Sequence, residues 1–392
     1  MTLKIPIYLD NHSTTKVDPK VVEAMLPYFS ENYGNAASRQ HEFGWKAEAA
    51  VENARKQIAR LVGAENPEIV FTSGGTESIN LALKGVAEAY ASKRNHIITA
   101  TTEHKAVLDT CARLEEHGFE ITYLPVDTAG LISVADLKNA ITNKTILVTI
   151  MLANNEIGTI APIAEIGAVC RGAGIFFHAD ATQATGKIPV NVVEMNVDLM
   201  SFSAHKMYGP KGVGALYVRA NRPKVNLTAL IDGGGHERGM RSGTLNVPAI
   251  VGFGKAAALA QENMSMEAKR VAAFRDELES GITSQFDEVM VNGNQAHRLP
   301  NNSNMTFKGV NADRLILDMK DIAVSSGSAC SSASPEPSHV LRAIGLGDED
   351  VLSSIRFGLG RFTTAEEIDY TINRVVQTMK AAREKSLQLA HP

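Results

Sequence analysis

Short apolar runs alternate with amphipathic stretches along this chain as far as residue 218. Residues 69–71 read as a strand and 76–91 as a helix. Residues 97–99 form the next strand, and 105–117 a helix that Gly118 stops. A strand over 119–124 follows, then a short helix capped by Ser133 with Asp136 three residues on. The apolar run 146–152 has the character of a strand buried on both faces, and a helix over 162–171 comes after it. Strands over 175–178, 199–203 and 215–218 complete the rhythm. Such alternation predicts an α/β fold with a mostly parallel mixed sheet.

The flanking segments follow other rules. Residues 38–62 carry a helical pattern ended by Gly63, in which Phe43 and Trp45 read as helix packing. A long Ala- and Glu-rich helix is expected from 247 to 286. Short strands over 289–291, 304–307, 324–325 and 355–357 follow, with two helices among them and a closing helix over 365–389. The change of rhythm predicts a large domain over 16–255 and a smaller α+β domain made of 1–15 and 256–392, with the long helix as connector. No repeat with a period of about 20–50 residues is visible.

Composition narrows the function. The chain has 392 residues, 44% hydrophobic and 21% charged, enough for a sizeable core without disulfide or metal staples. With 39 basic against 43 acidic residues and a net charge of −4, there is no polybasic footprint and direct nucleic-acid binding is not expected. No apolar run approaches the about 18 residues of a membrane span, so no membrane association is expected. The N-terminus lacks a signal-peptide pattern, and a cytoplasmic protein is expected. Of the three cysteines, Cys111 and Cys170 sit in amphipathic helices and read as packing. Cys330 sits in the small polar run SSGSACSSAS, where a thiol can reach solvent. There is no C-x-x-C and no zinc spacing, so no intrinsic metal site is expected.

Ligands of open α/β sheets gather at the carboxyl ends of strands. The residues just after the predicted strands are almost all polar: Thr72 to Glu77, Glu103-His104, Asn154-Asn155-Glu156, Asp180 to Gln183, and Ser203 to Lys206. Ser73-Gly74-Gly75-Thr76 stands between a strand and a helix. It reads either as a phosphate cradle of backbone N–H groups or as a plain turn with Thr76 as N-cap. Asp180 follows an apolar strand, a costly place for a carboxylate unless a cation meets it. Lys206 follows another, where a lysine can serve as a Schiff-base nucleophile. Taken singly, each reads as a satisfied ion pair or an exposed side chain. Taken together, cradle, aspartate and lysine match what pyridoxal phosphate requires. His12, His41, His178 and His339 read as satisfied or exposed histidines, and His236 to Arg241 as a polar, glycine-bounded loop.

The stretch Asp198 to Lys206, DLMSFSAHK, continued by Tyr208-Gly209-Pro210-Lys211-Gly212, closely resembles the lysine segment of the IscS/NifS cysteine desulfurases. So do Thr102 to Val107, Asn154 to Gly158, Asp180 to Gln183, Gly233 to Thr244 (GGGHERGMRSGT), Ser325 to Cys330 (SSGSAC) and Ser354-Ile355-Arg356-Phe357. The resemblance runs over about 7–378. It implies a fold-type-I pyridoxal-phosphate enzyme of the class-V aminotransferase superfamily that takes sulfur from L-cysteine and leaves L-alanine. Lys206 would carry the cofactor, Asp180 pair with its ring nitrogen, and His104 stack on the ring and join the proton transfers. Asn155 and Gln183 would bond the ring hydroxyl, with Asn155 also near substrate. Gly75, Thr76, Ser203 and His205 would hold the phosphate, and Thr244 would reach the phosphate of a second subunit, implying a homodimer. Arg356 would clamp the substrate carboxylate. Cys330 would be the nucleophile that becomes a persulfide and serves sulfur-acceptor proteins such as an iron–sulfur scaffold, itself at most a transient iron–sulfur ligand.

Two departures stand out. Ala204 occupies a position where the commonest motif has Gly, a one-methyl change expected to be tolerated, and Asn11 to Thr15 replaces a more usual Ala-Thr-Thr segment. The chain also stops at Pro392, where close relatives carry a longer tail implicated in scaffold docking, so the acceptor follows least from the resemblance. Rival readings are a selenocysteine lyase or aminotransferase of the same fold, and a degenerate sulfur-relay subunit. Intact Lys206, Asp180, His104, Cys330 and Arg356 argue against the last.

Overall fold

Strong β-formers in the apolar runs build the expected sheet. The computed structural model describes residues 3–221, 223–326 and 337–390, the side chains of 385–390 excepted. Seven strands lie in the order Ile69–Thr72, Gly214–Val218, Leu199–Ser203, Phe176–Asp180, Thr145–Met151, His96–Ala100, Glu120–Leu124. All neighbours are parallel except Gly214–Val218, which runs antiparallel to both of its partners. The sheet is therefore mixed and mostly parallel, as the alternation predicts. Register sets Met151 beside Asp180 and Asp180 beside Ser201, so the carboxyl ends of three central strands align.

Helices Glu42–Val62, Gly75–Tyr90, Lys105–Glu116 and Ile163–Ala173 cover this sheet and bury two apolar cores against it. Phe177, Phe202 and Phe253 are fully buried there, each contributing roughly 1.5–3 kcal/mol by leaving water. Cys111 and Cys170 lie in these cores, as packing requires. Ser133 caps its helix by accepting from Asp136 N at 3.2 Å.

A second core gathers Ile7 and Leu9 with residues of the C-terminal part, under a four-stranded antiparallel sheet ordered Ser325–Ser326, Ser354–Gly358, Asn302–Phe307, Val289–Val291. Ile7–Tyr8 pairs in parallel with Ile322–Ala323. The helix Val247–Thr283 spans both regions: Ile250 and Phe253 pack in the first core, Leu278 and Ile282 in the second. Three short helices, Ala312–Asp318, His339–Ala343 and Asp348–Leu352, stand among the later strands where two are expected.

Other details depart from the sequence pattern. The helix expected from 38 begins at Glu42, because extended His41 caps it by accepting from Gly44 N at 3.2 Å. Phe43 and Trp45 do not pack inward. The buried stripe of this helix runs through Gly44, Ala47, Val51 and Ala54, which leaves both aromatics half-exposed. Helices Pro19–Met25 and Pro27–Ser30 have no counterpart in the pattern analysis.

Candidate active site

The aligned strand ends open into one cavity of about 220 Å³. It is lined by Gly75, Thr76, His104, Asn155, Asp180, Gln183, Ser203, His205 and Lys206, nine of the residues singled out in the sequence, together with His12, Ile79, Met151, Ala153 and Thr182. Three predicted residues stand elsewhere. Thr244 is exposed and does not line its own chain's cavity, Arg356 is buried to one side, and Cys330 lies outside the described residues.

Backbone geometry explains the cradle. Gly74 is the N-cap of Gly75–Tyr90, and it has no side chain with which to close the helix end, so Thr76 is not the cap. The first N–H groups of a 16-residue helix are thus left without helical partners at the cavity. A methyl at Gly75 would stand 3.1 Å from Thr182 Oγ1, and that buried hydroxyl has no partner among the described residues. A buried orphaned hydroxyl beside a helix N-terminus fits a phosphate and is costly without one. His205 adds a second donor: its Nδ1 meets Thr14 Oγ1 at 3.1 Å, and burial, with Lys206 next, pushes its pKa down to about 4, so the ring is neutral.

Asp180 ends its strand 6% exposed and accepts from Thr182 N at 2.9 Å. His104 is the N-cap of Lys105–Glu116, and its Nδ1 accepts from Ala106 N at 3.1 Å. That bond places the proton of the neutral ring on Nε2. Burial lowers its proton affinity, with Asp180 opposing and Lys206 adding to the effect. Glu103 beside it is fully buried and accepts from Met151 N at 2.7 Å; burial holds its carboxyl well above the usual range.

Lys206 closes the turn after Leu199–Ser203 and donates to the carbonyls of His12 and Ser13. The N-terminal segment is clamped over it, since Thr15 N donates to His205 O and Asp18 N to Tyr208 O. Asn155 is held by its neighbour: Asn154 Oδ1 accepts from Glu156 N and Ile157 N, fixing the loop. Arg356, 1% exposed, donates to Asn155 O at 2.9 Å, Asp10 Oδ1 at 3.0 Å and Ser13 Oγ at 2.9 Å. Its Nε has no partner among the described residues.

Described residues on either side of 327–336 are attached at this site. Ser325 pairs with Arg356 in the small sheet, Ser338 Oγ donates to Glu156 Oε2, and His339 Nε2 meets Glu103 O at 2.9 Å. The loop read as merely polar, 236–241, is anchored too. Buried Glu237 pairs with Arg55 and accepts from Phe71 N, and Arg241 grips Glu77 in the first turn of the cradle helix. The sequence reads His12 as a satisfied or exposed histidine and gives no role to Thr182, within the Asp180 to Gln183 junction, or to Lys187; His12 and Thr182 line the cavity. The polar segment 11–15 is the one signal that could have raised His12, whereas Lys187 reaches the site only through contacts made in the fold.

Comparison with known proteins follows this geometry. Residues 7–371 match the family described as Aminotransferase class-V. The chain is 58% identical over 384 residues to a protein named cysteine desulfurase IscS from Anaeromyxobacter sp. (strain Fw109-5), covering 98% of this chain and 95% of that one. Another of that name, from Rickettsia massiliae (strain Mtu5), is 54% identical, with 98% and 93% covered. A solved structure titled NifS-like protein superimposes with a TM-score of 0.90 at 38% identity, over 96% of this chain and all of that one.

Proposed function

Because this chain belongs to the class-V aminotransferase family and, within it, to the IscS/NifS cysteine desulfurases, we propose that it converts L-cysteine to L-alanine in this cavity and keeps the sulfur on Cys330. The activity is that of a cysteine desulfurase, and pyridoxal 5′-phosphate is its cofactor. One observation carries the assignment to these residues: an orphaned hydroxyl at a helix N-terminus, a buried aspartate and a strand-end lysine line the same cavity.

When bound, the cofactor supplies an aldehyde for the substrate amine and a ring that takes up an electron pair. Gly75, Thr76, Ser203 and His205 would hold the phosphate, joined by Thr182. Asp180 would keep the ring nitrogen protonated, and Asn155 and Gln183 would donate to the ring oxygen. Lys206 would hold the cofactor's aldehyde carbon and, once free, its Nζ would take the proton from the substrate Cα, its N–H groups resting on the carbonyls of His12 and Ser13. His104 Nε2, which carries the ring's proton, would donate to a thiolate sulfur. Arg356 binds the substrate carboxylate, for which its unpartnered Nε supplies a donor. The Cys330 thiolate attacks the substrate sulfur, an S–S bond forms and the C–S bond breaks. L-Cysteine and one thiol thereby become alanine and a persulfide, with no outside oxidant. Ser325 and Ser338, described residues on either side of Cys330 in sequence, are both attached at this site, which supports the role given to Cys330.

The separate apolar cores support a large cofactor domain over 16–255 and a small one from 1–15 and 256–392. Exposed Thr244, and the half-exposed apolar side chains along 26–45, support a homodimer in which Thr244 serves the partner's phosphate. The persulfide would pass to an acceptor protein such as an iron–sulfur scaffold. Among the described residues no helix is long and apolar enough to cross a membrane.

The test is direct. Purified protein should bind pyridoxal phosphate with visible absorbance, be bleached and fixed at Lys206 by borohydride, and release alanine from cysteine. Cys330→Ser should retain the colour and lose alanine release. Full turnover in Cys330→Ser overturns the role of that thiol, and a protein that takes up no cofactor overturns the whole reading.

A further inference from the structure

Lys187 is a buried cation behind the site to which the chemistry above gives no task. It is 7% exposed, and its Nζ donates to Gln183 Oε1 at 3.1 Å. The same Oε1 faces His12 Nδ1 at 3.0 Å, while Gln183 Nε2 donates to His12 O at 3.0 Å. A carboxamide can turn either end to a neighbour, and only its partners decide which. An ammonium has donors and no acceptor, so it tolerates only the oxygen end. Turning the amide over would set its N–H groups against Lys187 and its oxygen against the His12 carbonyl. Both contacts would become repulsive in a buried place.

The remaining hydrogen on Gln183 Nε2 is then free for the cavity that Gln183 lines. Resting on the desulfurase reading above, the geometry points to Lys187 as a positioning residue that fixes the Gln183 carboxamide in the orientation offering an N–H to the bound cofactor.

The surroundings of Lys187 favour such a role over a structural ion pair. Facing it are His12, His205, Lys206, Arg356 and, across a hole of about 20 Å³, Glu267 and Tyr208. Glu267 is engaged by Arg361 at 2.7 Å, and the Tyr208 hydroxyl accepts from Arg361 N. Burial, then Lys206 and Arg356, push the Lys187 pKa down to about 7. An anionic ligand in the neighbouring cavity would favour the charged form of Lys187.

The experiment compares holoenzymes of wild type, Lys187→Met, Lys187→Gln, Lys187→Arg, Gln183→Ala and Lys187→Met with Gln183→Ala. The readout is the pH midpoint of the visible absorbance of the resting enzyme. Lys187→Met should raise the midpoint by about one unit, because an anionic acceptor loses a donor. Lys187→Gln should shift it the same way, since an amide cannot fix the orientation of another amide, and it serves if the methionine variant fails to fold. Lys187→Arg keeps a donor-only cation and should restore the midpoint. In the Gln183→Ala background Lys187→Met should add no shift. An unchanged midpoint in Lys187→Gln, or a full shift persisting without Gln183, overturns the proposal. A wild-type protein that forms no coloured holoenzyme overturns the desulfurase reading instead.

Discussion

Single residues show how burial sets proton affinity here. His178 is fully buried between Thr149 Oγ1 and Ser201 Oγ, each 2.8 Å away, and burial pushes its pKa down to about 3. The unfolded chain therefore binds this proton below about pH 6.5 and the folded chain does not. The contribution is intact above pH 6.5 and is lost as pH falls toward 3, at roughly 1.4 kcal/mol per unit. Buried Glu103 and Glu156 run the other way, their carboxyls raised by burial, Glu156 to about 7. Comparing urea midpoints of wild type and His178→Gln at pH 7 and pH 5 cancels the carboxyls. The variant should start lower at pH 7, from its lost bonds, and lose less on acidification; equal losses would exclude His178. Thr182 gives a second prediction at this scale. Thr182→Val removes the orphaned hydroxyl, and cofactor affinity should fall about tenfold, one hydrogen bond to a charged phosphate being worth about 1.5 kcal/mol or more. Equilibrium dialysis of the cofactor reads the change.

At the scale of an element, the turn that carries Lys206 shows why Ala204 is accommodated. Ala204 is fully buried, and a methyl at Gly209 would stand 2.8 Å from its Cβ and 2.9 Å from its carbonyl oxygen. The space for the Ala204 methyl exists because Gly209 has none, and Gly209 N bonds Ala204 O at 3.0 Å across the turn. Gly209→Ala should destabilise the protein by about 1–3 kcal/mol. Adding Ala204→Gly should recover part of the loss, the carbonyl contact remaining. Denaturant unfolding of the four variants reads the coupling, and strict additivity would separate the two positions.

For the whole molecule, the telling surface is the one this chain leaves open. Leu26, Phe29, Tyr33, Phe43 and Trp45 are each about half exposed or more, and the rings of Tyr33 and Phe43 stand 5.3 Å apart. A set of large apolar side chains in contact with water favours association with a second surface. In the homodimer proposed above, Phe29→Glu with Trp45→Glu should convert a sedimenting dimer to a monomer and weaken cofactor retention, since Thr244 would no longer reach a partner. A variant that stays dimeric clears these residues of the interface, and a monomeric wild type removes the homodimer.

The sequence by itself determined the layered α/β architecture, because mostly apolar runs such as 146–152 must be covered on both faces and amphipathic stretches such as 105–116 supply the cover. It also determined nine cavity residues, since polar side chains directly after buried strands all emerge at one edge of a parallel sheet. Local pattern could not decide what depends on distant segments meeting. His12 enters the site only because the N-terminal strand pairs with Ile322–Ala323 and lays residues 12–15 over Lys206. Phe43 and Trp45 look like core residues in sequence and are turned outward by the phase of their helix. Lys187, four residues past a motif, acquires its meaning from the carboxamide it holds. Hydrophobic periodicity is a local property of the chain, whereas hydrogen-bond partners and the proton affinities they set belong to the packed molecule.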